Sequence, residues 1–63
     1  RAAELFRQSA MDGDADAQYA LAVMLQTGKG QPQDFDESNL WLQRAANLGH
    51  RAAVLALANT AEN

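Results

Sequence analysis

The chain contains no cysteine, few basic residues and no long apolar run. Without cysteine, neither a disulfide framework nor a thiolate zinc site can form. No run approaches the roughly 18 apolar residues that a membrane-spanning helix needs. Five Lys and Arg against eight Asp and Glu give a net charge of −3, the opposite of a basic nucleic-acid-binding surface. We therefore expect a soluble protein without a nucleic-acid partner, suited equally to the cytoplasm or the periplasm.

Residues that favour β-strands are also scarce. Isoleucine is absent, Val23 and Val54 are the only β-branched aliphatic residues, and threonine occurs twice. Fourteen alanines dominate the apolar inventory, and alanine and leucine lose little freedom in a helix. A chain of 63 residues buries only about 60% of its unfolded surface. The composition predicts one small all-α domain.

Four glycines and one proline divide the chain into helix-length segments. No segment alternates apolar and polar residues as a half-buried strand does. The predicted helices are Arg1 to Asp12, Asp16 to Thr27, Phe35 to Leu48, and Arg51 to about Ala61.

Apolar and small residues recur at helical spacing in the middle two segments, which predicts one buried stripe on each. Phe35 is expected to join Trp41 in filling the core between the helices. The predicted stripes are Ala17, Leu21, Met24 and Leu25 on one helix, and Ser38, Trp41, Leu42, Ala45 and Ala46 on the other.

Helix ends carry recognisable signals. Asp34 and Glu37 have the spacing of a capping box, in which each carboxylate accepts from a backbone amide at the start of the helix. Gly49 follows the third helix, where glycine adopts the left-handed conformation at little cost. The interhelical segment Gly28-Lys29-Gly30 lacks the spacing of a phosphate-binding loop, so we expect a turn with Lys29 in solvent.

The sequence repeats itself at an offset of 36 residues, with six identities in 27 overlapping positions. A repeat as long as a helix pair indicates a helical solenoid. Ala10, Gly13, Ala17, Ala20, Leu21 and Ala22 recur as Ala46, Gly49, Ala53, Ala56, Leu57 and Ala58.

The stretch from Ala17 to Gly28, with the residues that follow it, resembles a Sel-one-like repeat. The further matching residues are Gly30, Pro32, Asp34, Phe35, Trp41, Arg44, Ala45, Ala46, Gly49 and His50. The resemblance implies an α/α solenoid related to tetratricopeptide repeats. It assigns residues 1–13 to the second helix of one repeat, 15–50 to a full repeat, and 51–63 to the first helix of the next.

Members of this family are adaptors and scaffolds, bacterial ones among them, so the resemblance implies protein binding and no catalysis. A solenoid exposes a concave surface that the first helix of each pair lines. We therefore expect a protein or peptide to bind one side of the second and fourth helices. The predicted binding residues are Tyr19, Val23, Gln26, Leu55 and Asn59, with Ala22, Ala58 and Glu62 on the same side. Alternatively, these residues pack against a neighbouring repeat and the chain is a structural spacer.

The sequence gives weaker support for a metal site or a catalytic residue. Asp12, Asp14 and Asp16 have the spacing that opens a calcium loop, but Ala17 and Val23 stand where that loop needs glycine and glutamate. His50 has no nucleophile or paired acid at motif spacing, so we expect a structural or surface histidine. Hence no catalytic residue, metal site or cofactor is predicted.

Two further expectations concern exposed arginines and an apolar stripe on the first helix. Arg44 and Arg51 should form surface ion pairs, which contribute little. The first helix carries an Ala2, Leu5 and Phe6 stripe without a partner helix in the chain. We expect this stripe to be covered in a longer repeat protein, or to promote self-association of the chain.

Overall fold

The structure is a computed structural model that describes residues 2–28 and 32–61. It contains four helices, α1 (Ala2–Met11), α2 (Ala15–Thr27), α3 (Phe35–Asn47) and α4 (Arg51–Ala61). The all-α prediction is confirmed, and the described residues contain no strand. The predictions for Lys29, Gly30 and Glu62 lie outside the described residues. No helix in these two ranges is long and apolar enough to cross a membrane.

Helices that follow one another in the chain pack against one another, with α2 against α3 as the most extensive contact. The central core is built from large side chains of these two helices, Leu21, Leu25, Trp41 and Leu42. Buried alanines of all four helices complete it, namely Ala10, Ala17, Ala22, Ala45 and Ala53. The interface between α2 and α3 is therefore the centre of the molecule.

The predicted stripes account for most of this core, with two partial exceptions and one error. Met24 and Ala46 are only half-buried. Phe35 is exposed, so the prediction that it fills the core is wrong. It is the first residue of α3, and the last buried residue of α2 is Leu25. Beyond Leu25, α2 ends in exposed polar residues that provide no apolar cover for the Phe35 ring.

Three hydrogen bonds fasten the hairpin of α2 and α3. The Ser38 hydroxyl donates to the Ala22 carbonyl across the buried interface at 2.8 Å. The Asp34 amide donates to the Leu25 carbonyl at 2.9 Å, and the Gln33 side-chain amide donates to the Gln26 carbonyl at 2.7 Å. The last two bonds satisfy carbonyls at the end of α2 that have no acceptor role within the helix.

The predicted capping box at α3 is half correct. Asp34 accepts from the Glu37 amide at 3.1 Å, as expected of an N-cap. The Glu37 carboxylate does not return the bond, because it accepts instead from the Arg7 guanidinium and the Trp41 indole. A bond from a charged guanidinium is stronger than one from a neutral amide. Glu37 thus joins α1 to α3.

The turns that follow α1 and α3 have the same geometry. Gly13 and Gly49 adopt φ of 98° and 92°, which confirms the left-handed conformation expected at Gly49. The Gly13 amide donates to Ala10 at 3.1 Å, and the Gly49 amide donates to Ala46 at 2.9 Å. Gly13 lies 36 residues before Gly49, and Ala10 lies 36 residues before Ala46. The sequence repeat is therefore also a repeat of backbone structure.

The conformation at Gly49 gives a sharp test, because a Cβ built there meets nothing within 4 Å. The Gly49→Ala substitution should lower the free energy of unfolding by about 1 kcal/mol, since an L residue is strained at positive φ. D-alanine at the same position in a synthetic chain should be at least as stable as glycine. Urea unfolding followed by circular dichroism measures both, and equal stabilities of the two alanine forms would contradict the assignment.

Candidate functional site

The five predicted binding residues lie on α2 and α4. Tyr19, Val23 and Gln26 follow one another along α2; Tyr19 is half-buried, and the other two are exposed. Leu55, with 57% of its surface exposed, and the exposed Asn59 lie on α4. We call these five residues the candidate row.

Ala22, which was expected on the same side as Tyr19, does not belong to that side. It is fully buried, and its carbonyl accepts the Ser38 bond in the hairpin interface. The error arises because α2 is flanked by both α1 and α3, so more of its circumference is covered than one apolar stripe indicates. Its counterpart Ala58 on α4 is exposed.

His50 connects the two halves of the candidate row. Its ring stacks on Tyr19, with centroids 4.8 Å apart and planes inclined by 18°. Its Nε2 lies 2.9 Å from the Asp16 carboxylate, and its Nδ1 accepts from the Ala53 amide at 3.2 Å. Because Nδ1 accepts, the ring proton lies on Nε2 and is donated to Asp16. His50 therefore fixes the start of α4 against the start of α2.

The capping role of His50 was not predicted, although the repeat contains a signal for it. At the offset of 36 residues His50 aligns with Asp14. Asp14 is the N-cap of α2, where its carboxylate accepts from the Asp16 and Ala17 amides. The Ala17 and Ala53 amides are equivalent donors in the two repeats. An imidazole nitrogen thus replaces a carboxylate oxygen as the helix cap.

A second cluster, on α1 and α3, surrounds Trp41. The Arg7 guanidinium lies 2.8 Å from Glu37, and the Trp41 indole donates to the same carboxylate at 3.1 Å. The hydrogen bond from Arg7, followed by that from Trp41, lowers the pKa of Glu37, while partial burial opposes the shift. A lowered folded-state pKa means that the charged carboxylate stabilises the fold near neutral pH, and this contribution is lost as pH falls through that pKa.

The expectation of ion pairs at Arg44 and Arg51 is wrong for the described residues. The ion pair found there is Arg7 with Glu37, and Asp16 accepts a hydrogen bond from the His50 ring. The Arg44 guanidinium lies over the Trp41 ring instead, 5.0 Å from its centroid. An arginine on the same helix as a tryptophan three residues earlier reaches the ring face more readily than a distant acid.

The three aspartates before and within α2 act separately. Asp14 caps the helix, Asp16 contacts His50, and Asp12 lies exposed in the turn. Across residues 2–28 and 32–61, no three His, Cys, Asp or Glu side chains are grouped to hold a metal ion.

One buried polar contact was also missed by the sequence analysis. Gln18 is buried between α1 and α2, and its side-chain amide donates to the Ala10 carbonyl at 2.9 Å.

A cleft of about 380 Å³ lies along α1 and is lined by Glu4, Arg7, Gln8, Met11 and Asp12. This cleft includes no residue of the candidate row.

The family model described as the Sel1 repeat matches residues 1–14 and 15–50 of the chain. The boundary between the two matched segments falls between the N-cap Asp14 and the first residue of α2. No curated protein and no solved structure matches the chain.

The role assigned to His50 can be separated into capping and stacking. His50→Ala removes both and should lower the free energy of unfolding by about 1 kcal/mol or more, as loss of an N-cap does. His50→Asn keeps an acceptor for the Ala53 amide but removes the ring and its bond to Asp16, so it should recover the part of the loss that is due to capping. Urea unfolding of both variants measures the difference. An asparagine variant as unstable as the alanine variant would show that capping is not the role of His50.

Proposed function

The chain belongs to the Sel1 repeat family, and we propose that it binds a peptide or a helix of a partner protein on the candidate row. Sel1 repeats are generally helical repeats that mediate protein interactions and form non-catalytic scaffolds. In this proposal the chain acts as an adaptor or scaffold module. Tyr19, Val23 and Leu55 provide apolar contact, and Gln26 and Asn59 provide hydrogen bonds.

The observation that carries the proposal is the exposure of Leu55 on α4 and of Val23 on α2, one helical turn from an aromatic ring that is already held in place. Tyr19 stacks on His50, and His50 is fixed by Asp16 and Ala53. Because the Tyr19 side chain is already ordered, binding of a partner to it costs little conformational entropy. Aromatic residues that are ordered before binding are effective anchors in interfaces.

The polar surroundings define the partner further. The Asp16 side chain is 91% exposed, and it lies one helical turn before Tyr19 on α2. The whole chain carries a net charge of −3. These charges favour a partner segment with apolar side chains next to a basic residue, and they disfavour an acidic one.

The alternative is a structural spacer, in which the candidate row packs against another repeat and binds no separate ligand. The exposed Val54 on α4 favours this alternative, because Val54 lies outside the row and is also uncovered. The two functions differ in whether isolated peptides bind the chain.

Selection from a library of random twelve-residue peptides on the immobilised chain tests the proposal. Enriched peptides should bind the Val23→Ser, Leu55→Ser double variant at least tenfold more weakly, since each serine removes apolar contact worth about 1.4 kcal/mol or more. The control is Leu40→Ser, which removes an exposed leucine of α3 outside the row. It should leave the affinity unchanged, as titrated by fluorescence anisotropy.

Two results would count against the proposal. Peptides that bind the double variant as tightly as the unchanged chain would place the binding site elsewhere. A library that yields no enriched peptide at all would favour the spacer. Tyr19 is left unchanged in both variants, because its stacking on His50 makes it part of the fold.

A further inference from the structure

The five residues of the candidate row are uncharged, but a charged side chain shares their face of α2. Asp16 is the second residue of α2 and precedes Tyr19 by three positions and Val23 by seven. Residues at these spacings lie on one face of a helix. Asp16 therefore places a carboxylate at the start of α2, ahead of the aromatic and apolar members of the row.

The Asp16 carboxylate is held in one position and is also open to solvent. Its Oδ1 accepts from the His50 Nε2 at 2.9 Å, and the Asp16 side chain is 91% exposed, whereas that of His50 is 16% exposed. Within residues 2–28 and 32–61, no group of the chain donates to the second carboxylate oxygen, Oδ2. An acceptor that is ordered before binding accepts a bond from a partner at a small entropic cost.

The charge of Asp16 is not neutralised by its neighbours in the described part of the chain. The Nδ1 of His50 accepts from the Ala53 amide, so the ring that bonds Asp16 is neutral in this arrangement. Arg51 follows His50, but it forms no ion pair with Asp16 among the described residues. Because a carboxylate forms its strongest hydrogen bonds with cationic donors, Asp16 fits the ammonium group of lysine or the guanidinium group of arginine.

The spacing along α2 determines how far such a cation lies from the apolar contact. A helix rises about 1.5 Å per residue, so Val23 lies roughly 10 Å beyond Asp16 along the axis, with Tyr19 between them. An extended chain advances about 3.3 Å per residue. A cation on Asp16 and an apolar side chain on Val23 are therefore about three residues apart in an extended segment.

We propose that Asp16 selects the partner of the candidate row. Its carboxylate accepts from a lysine or arginine of an extended segment, while an apolar residue about three positions away in that segment contacts Val23. The inference rests on the proposed function and deepens it, because it names the residue that discriminates between partners. Asp16 then forms two bonds, one to His50 that orders it and one to the partner.

Fluorescence anisotropy with a labelled peptide enriched on the unchanged chain tests the proposal. Asp16→Asn removes the charge and keeps a side-chain oxygen that can accept from His50. The matched control is Asp36→Asn, since Asp36 is also the second residue of its helix, is exposed, and lies outside the candidate row. Both variants change the net charge equally, and circular dichroism verifies that both fold.

In about 50 mM salt, Asp16→Asn should weaken binding about fivefold or more, because a charge-assisted bond is lost. Asp36→Asn should leave the affinity unchanged. Exchange of the basic residue of the peptide for an uncharged one (citrulline for arginine, norleucine for lysine) should weaken binding to the unchanged chain by the same factor. The same exchange should not weaken binding to the Asp16→Asn variant. The effect of Asp16→Asn should shrink in about 500 mM salt, which screens exposed charges.

Three outcomes would overturn this proposal alone. Enriched peptides could lack a basic residue. The Asp16→Asn variant could bind the peptide as tightly as the Asp36→Asn variant. Asp16→Asn could weaken the basic and the uncharged peptide equally, which would limit Asp16 to ordering His50. Each outcome can occur with peptides that still need Val23 and Leu55, so it is distinguishable from failure of peptide binding at the row. A library without any enriched peptide would overturn both proposals.

Discussion

Ala22 and Ser38 determine how closely α2 approaches α3, because a hydroxyl of one helix bonds directly to a backbone carbonyl of the other. Such a bond requires a small residue on the accepting helix, and Ala22 is fully buried there. The large side chains on either side, Leu21 and Trp41, fill the space that this approach leaves. This interface is the most extensive of the helix contacts among the described residues. Helix α1 packs mainly on α2, and α4 packs mainly on α3.

The turns then repeat the arrangement along the chain. Gly13 and Gly49 end their helices in the same left-handed conformation, and Asp14 and His50 begin the next helices with equivalent side-chain caps. At the second turn the cap is an aromatic ring that also contacts α2 through Tyr19 and Asp16. His50, which caps a helix in the repeated turn, thus also orders the Tyr19 side chain of the candidate row. Stability and the shape of the proposed binding surface are therefore linked through His50.

Helical periodicity and turn residues predicted the four helices, most of the core and the glycine conformation. Periodicity failed where the number of neighbouring helices decides burial. Ala22 was expected to be open although α2 has neighbours on two sides, and Phe35 was expected to be buried although α2 ends before reaching it. Helical periodicity also could not predict which of several polar groups a side chain would bond. Glu37 bonds Arg7 and Trp41 in preference to its own helix start, and Arg44 stacks on Trp41. The Arg7 contact depends on the distance between α1 and α3, which are far apart in sequence, whereas the contacts of Trp41 with Glu37 and Arg44 lie within α3.

The hairpin of α2 and α3 forms the most extensive helix contact among the described residues, and the contacts of α1 with α2 and of α4 with α3 are smaller. Amide hydrogen exchange of the chain in dilute solution reports the opening free energy along the chain. The slowest exchange is expected in the middle of α2 and α3, near the buried Leu21 and Leu42, and faster exchange throughout α1 and α4. Equal protection of all four helices, or slower exchange in α1 or α4 than in the hairpin, would contradict it.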